Sequence, residues 1–379
     1  MDGKGILTLS IATAAGACVG SFLNVCIWRI PRPGLSVARP RRSFCPACGA
    51  TIAWYDNLPI ASWFLLRGRC RRCASPIPLR YPLVESLTAF LFFVAGRYDL
   101  ARYGADGSWD PDAVLFAVHA LIASALIAMS FIDIDFEIIP DELSVPGLAI
   151  APLLAIASPA IAPPERPLLA LLGAWEDLLA FGRDRSGAAA SGAAIAAALL
   201  GAAAAGGAGA LLWRRVARRR FEGEGPPPVW ALAPGAVIPG LVGGWVAWSL
   251  VRPSVVLEPR SYALAWSLAG MALGGASIYA VGVVGTWVFR REAMGFGDVK
   301  LMGGIGGVVG PSGVLWTFGL ASILGAIVGV AIWIRTRNRR IPFGPFLAAA
   351  ALTVLLWRGY LEAFLEWYVA LLVGGGAAR

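Results

Sequence analysis

The sequence predicts an all-α fold, a polytopic transmembrane helix bundle of about 8–10 spans with a small polar domain in its first loop. Hydrophobic residues make up 58% of the 379 residues and charged residues only 15%, which lies outside the range of soluble globular proteins. Long runs rich in Leu, Ala and Val recur without strand-like alternation. Because lipid cannot satisfy exposed peptide groups, such runs are expected to cross the membrane as helices.

Ten apolar runs are candidate spans, each long enough or nearly long enough to cross a bilayer. They occupy residues 5–27, 83–96, 113–132, 142–162, 189–213, 229–251, 263–289, 299–311, 314–334 and 343–357. The first run has a weak basic leader and no convincing cleavage site, so it is expected to be a retained helix and not a signal peptide.

Arginine residues cluster between the apolar runs, which predicts the orientation of the bundle. The loop 28–82 is rich in Arg and is therefore expected on the cytoplasmic side. The Arg clusters at 214–220, 290–291 and 335–340 fall on the same side, provided that 299–311 crosses the membrane. No basic aromatic domain stands apart from the membrane, so lipid is expected as a partner and nucleic acid is not.

Two CxxC pairs, Cys45-Pro-Ala-Cys48 and Cys70-Arg-Arg-Cys73, lie in the first loop at a spacing close to that of four-thiolate zinc sites. They predict a small cytoplasmic zinc-ribbon-like domain with a structural zinc ion, because four thiolates leave no open coordination position. Free thiols or two disulfides are the alternative, and a cytoplasmic loop disfavours disulfides. Cys18 and Cys26, within the first span, are expected to be buried thiols and not ligands.

Two acidic motifs end predicted spans on the same membrane face. The first begins Asp133-Ile-Asp135, and the second is Gly295-Phe-Gly297-Asp298-Val-Lys300. Ionisable residues at membrane depth are costly and usually functional. Two carboxylates that share a water molecule cannot both ionise easily, so one holds a proton while the other takes one from the water. The motifs therefore indicate the chemistry of an aspartic peptidase.

The other acids have plainer interpretations. Asp135, Asp141, Glu137 and Glu142 could be solvated charges at the interface, which is the favoured interpretation for Glu137 and Glu142. Asp141 follows a proline and could cap the next helix.

The glycines of the second motif permit close backbone approach. Gly295 and Gly297 are expected to seat Asp298 at a break between helices, with Lys300 balancing the local charge. His119 lies within a span and is expected to be a hydrogen-bonded packing residue.

Together these motifs resemble those of the prepilin peptidases, which are GxGD aspartic peptidases of the bacterial inner membrane. The resemblance covers about 1–150 and 263–357. The motifs that carry it are Gly20-Ser-Phe-Leu-Asn-Val25, Trp28-Arg-Ile-Pro31, Trp54-Tyr-Asp-Asn-Leu-Pro59, Arg80-Tyr-Pro-Leu-Val-Glu85, residues 132–141, residues 294–301 and Ile341-Pro-Phe-Gly-Pro-Phe346.

The resemblance implies an activity, substrates and site residues. It implies removal of the basic leader of type IV prepilins or type II secretion pseudopilins at the cytoplasmic membrane face. Many members of that family also methylate the new amino terminus with S-adenosylmethionine. By motif position, the catalytic residues are Asp133 and Asp298, with support from Gly295, Gly297, Lys300 and Asp141.

This sequence departs from the family's pattern in one respect that affects the domain organisation. The stretch between the two acidic motifs is much longer here than is usual in the family. The segment 163–255 is therefore expected to be an inserted helix hairpin with loops. The expected domains are a first helix at 1–27, a four-cysteine zinc-binding domain at 28–82, helices with the first Asp at 83–162, the insertion at 163–255, helices with the GxGD motif at 256–357, and a tail or interfacial helix at 358–379.

Two other functions fit parts of the pattern. A transporter or channel with a zinc-bearing cytoplasmic loop would also carry intramembrane acids, but these are expected near the bilayer midplane. A non-catalytic assembly factor for a pilus or secretion system would not need both acidic motifs. Asp133 and Asp298 lie at span ends and both motifs are intact, which favours the peptidase.

Overall fold

The structure, a computed structural model, describes residues 3–32, 34–40, 42–101, 112–161, 259–289, 294–336 and 341–373. The regular elements in these ranges are all helices, which confirms the predicted all-α class. They are α1 (Gly3–Arg29), a 3-10 turn (Trp54–Asn57), α2 (Ala61–Leu65), α3 (Arg80–Asp99), α4 (Ala113–Phe136), α5 (Asp141–Ala157), a 3-10 turn (Pro159–Ile161), α6 (Pro259–Phe289), α7 (Phe296–Thr336) and α8 (Gly344–Val373).

Five of the described helices are long and apolar enough to cross a bilayer, which makes the protein a multi-pass membrane protein. The apolar stretches are Gly3–Arg29, Ala113–Phe136, Tyr262–Val288, Phe296–Arg335 and Gly344–Phe364. α3 contains the predicted span 83–96 and extends it at both ends. The predicted spans 189–213 and 229–251 lie outside the described residues.

The chain divides into two compact units. The first unit comprises Met1–Pro146 and Leu324–Leu352, and the second comprises Gly147–Ile323 and Thr353–Arg379. In the first unit α1 packs closely along α3, because Gly20 lets the two backbones approach. A Cβ atom on Gly20 would lie 2.7 Å from the Cα atom of Glu85. Small residues serve this purpose where helices pack in lipid.

In the second unit, α7 is broken at Gly310, which has a φ of 72° and is followed by Pro311. Proline has no N–H group, so the carbonyl oxygen of Gly307, four residues earlier, loses its helical donor. The Ser267 hydroxyl of α6 donates to that oxygen at 2.6 Å. A break of this kind is tolerated in a spanning helix only when neighbouring groups satisfy the freed carbonyl. The helical parts before and after this break correspond to the predicted spans 299–311 and 314–334.

α8 is also interrupted, at Trp357, and continues as a helix to Val373. Just after the interruption, the Arg358 guanidinium group donates to the Val309 carbonyl oxygen at 3.1 Å and to the Ser312 hydroxyl at 2.5 Å. It also pairs with Glu362 at 2.8 Å. Arg358 therefore joins the second part of α8 to the break in α7 within the second unit.

Candidate active site and metal centre

The four cysteines of the first loop lie in two similar tight turns between α1 and α3. In the first turn the Gly49 N–H donates to the Cys45 carbonyl oxygen at 2.8 Å, and in the second the Ala74 N–H donates to the Cys70 carbonyl oxygen at 2.9 Å. Gly49 and Ala74 both have positive φ angles, of 69° and 57°. Each CxxC sequence therefore closes on itself and presents two sulfurs to one side.

The structure brings the four sulfur atoms together. The Sγ atoms of Cys45, Cys48, Cys70 and Cys73 all lie within 4.8 Å of one another, and those of Cys45 and Cys73 are 3.8 Å apart. Tetrahedral zinc with four thiolate ligands separates its sulfurs by roughly 3.8 Å, given a Zn–S bond of about 2.3 Å. The cluster therefore has the size and the donor set for one metal ion.

The thiols differ in their surroundings. Backbone N–H groups of Cys73 and Arg72 lower the pKa of Cys70 to about 6, because they donate to its thiolate. Neither cysteine of α1 belongs to the cluster. Cys26 is buried, as predicted, but Cys18 is exposed, so the prediction for Cys18 was wrong. The helix α1 turns that side chain away from its neighbours in the unit.

An ion pair and a side-chain hydrogen bond stabilise the loop that carries the cysteines. The Arg71 guanidinium group, beside the second cysteine pair, donates to both carboxylate oxygens of Asp56, at 2.6 Å and 2.8 Å. This contact lowers the pKa of Asp56. The Trp63 indole N–H donates to the Ile77 carbonyl oxygen at 3.0 Å. The segment between the cysteine pairs is thus tied to the segment that follows the second pair.

Asp133 lies in the last turn of α4 and is only 6% exposed. Its Oδ2 atom accepts a hydrogen bond from the backbone N–H of Gly344, the first residue of α8, at 3.1 Å. A Cβ atom at residue 344 would lie 2.5 Å from Oδ2, which no real side chain allows. α4 ends directly afterwards, where Glu137 adopts a left-handed conformation and its N–H donates to the Asp133 carbonyl oxygen. The carboxylate is therefore held between the end of one helix and the start of another.

The sequence did not reveal the role of Gly344. The residue belongs to the motif Ile341–Phe346, which carried part of the family resemblance but had no function attached to it. Its partner Asp133 is 211 positions away, so only the tertiary fold brings the two together.

The remaining acids of the first motif lie nearer the surface. Asp135 forms an ion pair with Arg80, the first residue of α3. Glu137 and Glu142 are exposed, as expected for solvated charges. Asp141 is the first residue of α5, so it does not precede the helix as a cap would. In the first turn its negative charge complements the helix dipole.

The second motif lies where one helix follows another. α6 ends at Phe289, α7 begins at Phe296, and Asp298 stands in the first turn of α7. The Asp298 N–H donates to the Gly295 carbonyl oxygen at 3.2 Å. The Lys300 ammonium group lies 5.3 Å from the centre of the Phe296 ring. Asp298 belongs to the second unit, and Asp133 belongs to the first.

His119 has the packing role expected from its position in a span. Its Nδ1 atom lies 2.8 Å from the Asp99 carboxylate, and both residues are buried between α3 and α4.

Comparison with known proteins adds independent information. Residues 14–97 match the bacterial peptidase A24 N-terminal domain, and residues 232–330 match the type IV leader peptidase family. The second match begins inside the segment 163–255. No solved structure matches the chain.

Several curated relatives are named prepilin leader peptidase/N-methyltransferase. The one from Myxococcus xanthus is 48% identical over 133 residues, 35% of this chain and 36% of the relative. The one from Aeromonas hydrophila is 27% identical over 96% of this chain and 94% of its own length. The one from Burkholderia pseudomallei is 30% identical over 93% of this chain and 86% of its own length. Since similarity at this level extends over nearly the whole sequence, the chain belongs to the type IV leader peptidase family.

Proposed function

We propose that this protein is a membrane-embedded aspartic endopeptidase that removes the basic leader peptide from type IV prepilins or type II secretion pseudopilins. The observation that carries the proposal is the buried Asp133 carboxylate, which the Gly344 N–H holds at the end of α4. A buried carboxylate with a fixed position is what a proton-transfer reaction requires.

In this mechanism Asp133 and Asp298 act on one water molecule. One carboxylate takes a proton from the water, which then attacks the scissile carbonyl carbon. The other, protonated, carboxyl group donates a hydrogen bond to the carbonyl oxygen as it becomes negative. Gly295 and Gly297 leave room for the substrate backbone beside Asp298, and Lys300 and Asp141 adjust the local charge.

The same proposal assigns a location. The Arg-rich loop 28–82 and the two acidic motifs face the cytoplasm, and the chain lies in the bacterial inner membrane. A prepilin fits this arrangement because its basic leader would remain on the cytoplasmic side while its apolar segment enters the lipid. The domain boundaries expected from the sequence, including the hairpin at 163–255, form part of the proposal.

The four-cysteine cluster is proposed to hold one structural zinc ion. We expect about one zinc per chain in the purified protein, because the sulfur spacing fits a tetrahedral ion. Replacing any of Cys45, Cys48, Cys70 or Cys73 with Ser should lower the zinc content and make the loop sensitive to protease. Elemental analysis and limited proteolysis measure the two effects.

The matched control for the zinc experiment is Cys18→Ser, which removes an exposed thiol outside the cluster. This variant should keep the wild-type zinc content. A wild-type preparation that is folded, active and free of metal would contradict the structural role of zinc.

Methylation of the new amino terminus is proposed as a second activity, with S-adenosylmethionine as the methyl donor. A cavity of about 650 Å³ in the first unit, between α1, α3 and the cysteine loop, has the size of a small-molecule site. Its walls include the rings of Trp28 and Tyr55. Aromatic rings suit a ligand that has an adenine ring and a cationic sulfonium group.

Incubation of the purified protein with a prepilin, with and without S-adenosylmethionine, tests both activities. Mass spectrometry of the product should show loss of the leader in both reactions and the mass of one added methyl group only with the donor. An intact prepilin after incubation with well-folded protein would contradict the peptidase. The transporter and assembly-factor alternatives are not favoured, because the similar curated proteins are named as peptidases.

A further inference from the structure

The cavity of about 650 Å³ contains a carboxylate that the cleavage mechanism does not use. Glu85 lies in the second turn of α3, is 8% exposed and lines the cavity. Its Oε2 atom accepts the Ile60 N–H at 2.6 Å, and this donor is neutral. Ser21 of α1 lines the same cavity. Within the described ranges, no Lys, Arg or His side chain forms an ion pair with Glu85.

The other carboxylate of the cavity wall is different. Asp56 is bonded through both of its oxygens to Arg71, so its charge is already balanced. A buried carboxylate is costly unless a cation or several hydrogen bonds compensate it. Glu85 is therefore the cavity carboxylate that still has the capacity to bind a cation.

A second acceptor lies on the same wall. Asn24 of α1 donates from Nδ2 to the Tyr81 carbonyl oxygen at 3.1 Å, while its buried Oδ1 atom has no donor among the described residues. Buried polar groups are nearly always hydrogen-bonded, so an acceptor of this kind points to a missing donor. Of the arginines that line the same cavity, Arg29 donates to backbone carbonyl oxygens, Arg71 pairs with Asp56 and Arg80 pairs with Asp135. The Glu85 carboxylate and the Asn24 oxygen are left to accept from a positively charged group that carries several N–H bonds.

The backbone that donates to Glu85 is in an unfavourable conformation, which is typical of functional sites. Ile60, whose N–H binds the carboxylate, has a φ of 62°. Positive φ is unfavourable for a β-branched residue, and such strain persists where the surrounding structure holds it and tends to cluster at functional sites.

We propose that Glu85, with Ser21 and Asn24, binds the α-ammonium group that leader cleavage creates on the mature polypeptide. This inference rests on the proposed function, because it assigns the methyl acceptor to a specific part of the cavity. The Arg80 side chain lines the same cavity and pairs with Asp135, two residues from Asp133 on α4. Cleavage at Asp133 releases the new amino terminus beside α4. The ion pair between Arg80 and Asp135 connects the cavity wall to that same helix.

The chemistry needs such a carboxylate. An ammonium group is not a nucleophile, so it must first lose a proton, which Glu85 accepts. The amine lone pair then forms the new N–C bond while the methyl–sulfur bond of the donor breaks and its electron pair stays on sulfur. The product is a methylated ammonium group, and Glu85 later releases its proton to water.

The test uses the full-length protein in detergent and needs no methyl donor. The probe is a synthetic peptide with the mature amino-terminal sequence of a pilin, bearing a fluorescent label, with either a free or an acetylated α-amine. The wild type should bind the free amine about tenfold more tightly, as expected for a charge-assisted hydrogen bond. Glu85→Gln should remove this preference and abolish methylation, but it should leave leader cleavage intact.

Glu142→Gln is the matched control, because it makes the same change at an exposed residue outside the cavity wall. It should keep the preference for the free amine. If Glu85→Gln inserts poorly, Glu85→Asp and Ser21→Ala replace it, and each should reduce the preference. A wild type without any preference, or a well-folded Glu85→Gln protein that retains it, overturns the inference. Failure of the wild type to cleave prepilin would instead reject the proposed peptidase.

Discussion

Replacing either Asp133 or Asp298 with Asn is expected to abolish leader cleavage while the protein remains inserted in the membrane. An amide cannot take a proton from water or exchange one with a second carboxyl group, and the shared-proton mechanism requires both steps. The loss should amount to several orders of magnitude in rate, because residues that act as one catalytic unit fail together. The double variant should therefore be hardly worse than either single variant.

The measurement is the rate of leader removal from a purified prepilin, with membrane insertion checked separately. Glu142→Gln serves as the control, since that exposed acid of α5 has no part in the mechanism. Near-normal processing by Asp133→Asn would show that the assignment is wrong. Asp135 or Asp141, in the same motif, would then be the next candidate.

Gly344→Ala is expected to reduce cleavage about a hundredfold, which is the cost of misplacing a catalytic group by roughly 1 Å. The added methyl group would stand 2.5 Å from Oδ2 of Asp133, so the carboxylate must move and its hydrogen bond to the residue 344 N–H must lengthen. Steady-state kinetics of prepilin cleavage should show the loss mainly in kcat, because the substitution alters the reacting group.

Gly359→Ala provides a control on the same helix. A Cβ atom at residue 359 would meet nothing within 4 Å, so this variant should cleave at the wild-type rate. Both substitutions place Ala in a helix, so any general effect on α8 would appear in both variants. Equal activity of the two would show that the contact between Gly344 and Asp133 does not position the carboxylate.

Local patterns in the sequence predicted much of the candidate site. The CxxC pairs predicted the four-sulfur cluster because each pair closes its own turn and only one further contact is needed to join them. The end of α4 just after Asp133, at Phe136, followed from the change from apolar to acidic residues. The glycines around Asp298 predicted a break between helices, and Asp298 stands in the first turn of α7, after the end of α6.

Contacts between distant segments could not be predicted in this way. Gly344 and Asp133 belong to separate motifs, and neither motif alone indicates that the two residues are in contact. Glu85 was recognised only as the end of a family motif, because its environment depends on Ile60 from the cysteine loop and Ser21 from α1. The exposure of Cys18 likewise depends on which side of α1 faces its neighbours, and a weakly amphipathic helix does not reveal this.

The break in α7 has a consequence for biogenesis. The ribosome makes Ser267 before it makes Gly307, so the hydroxyl that compensates for Pro311 is available when α7 enters the bilayer. Arg358 is translated later, and its bonds to Val309 and Ser312 must wait for the second part of α8. An unsatisfied peptide group costs several kcal/mol in lipid. We therefore expect α7 to reach its final conformation in the bilayer only after the second part of α8 has been synthesised. The carboxyl-terminal helix would then complete the assembly of this unit, and nascent chains that stop before Arg358 should be recognised by membrane quality control as unfinished.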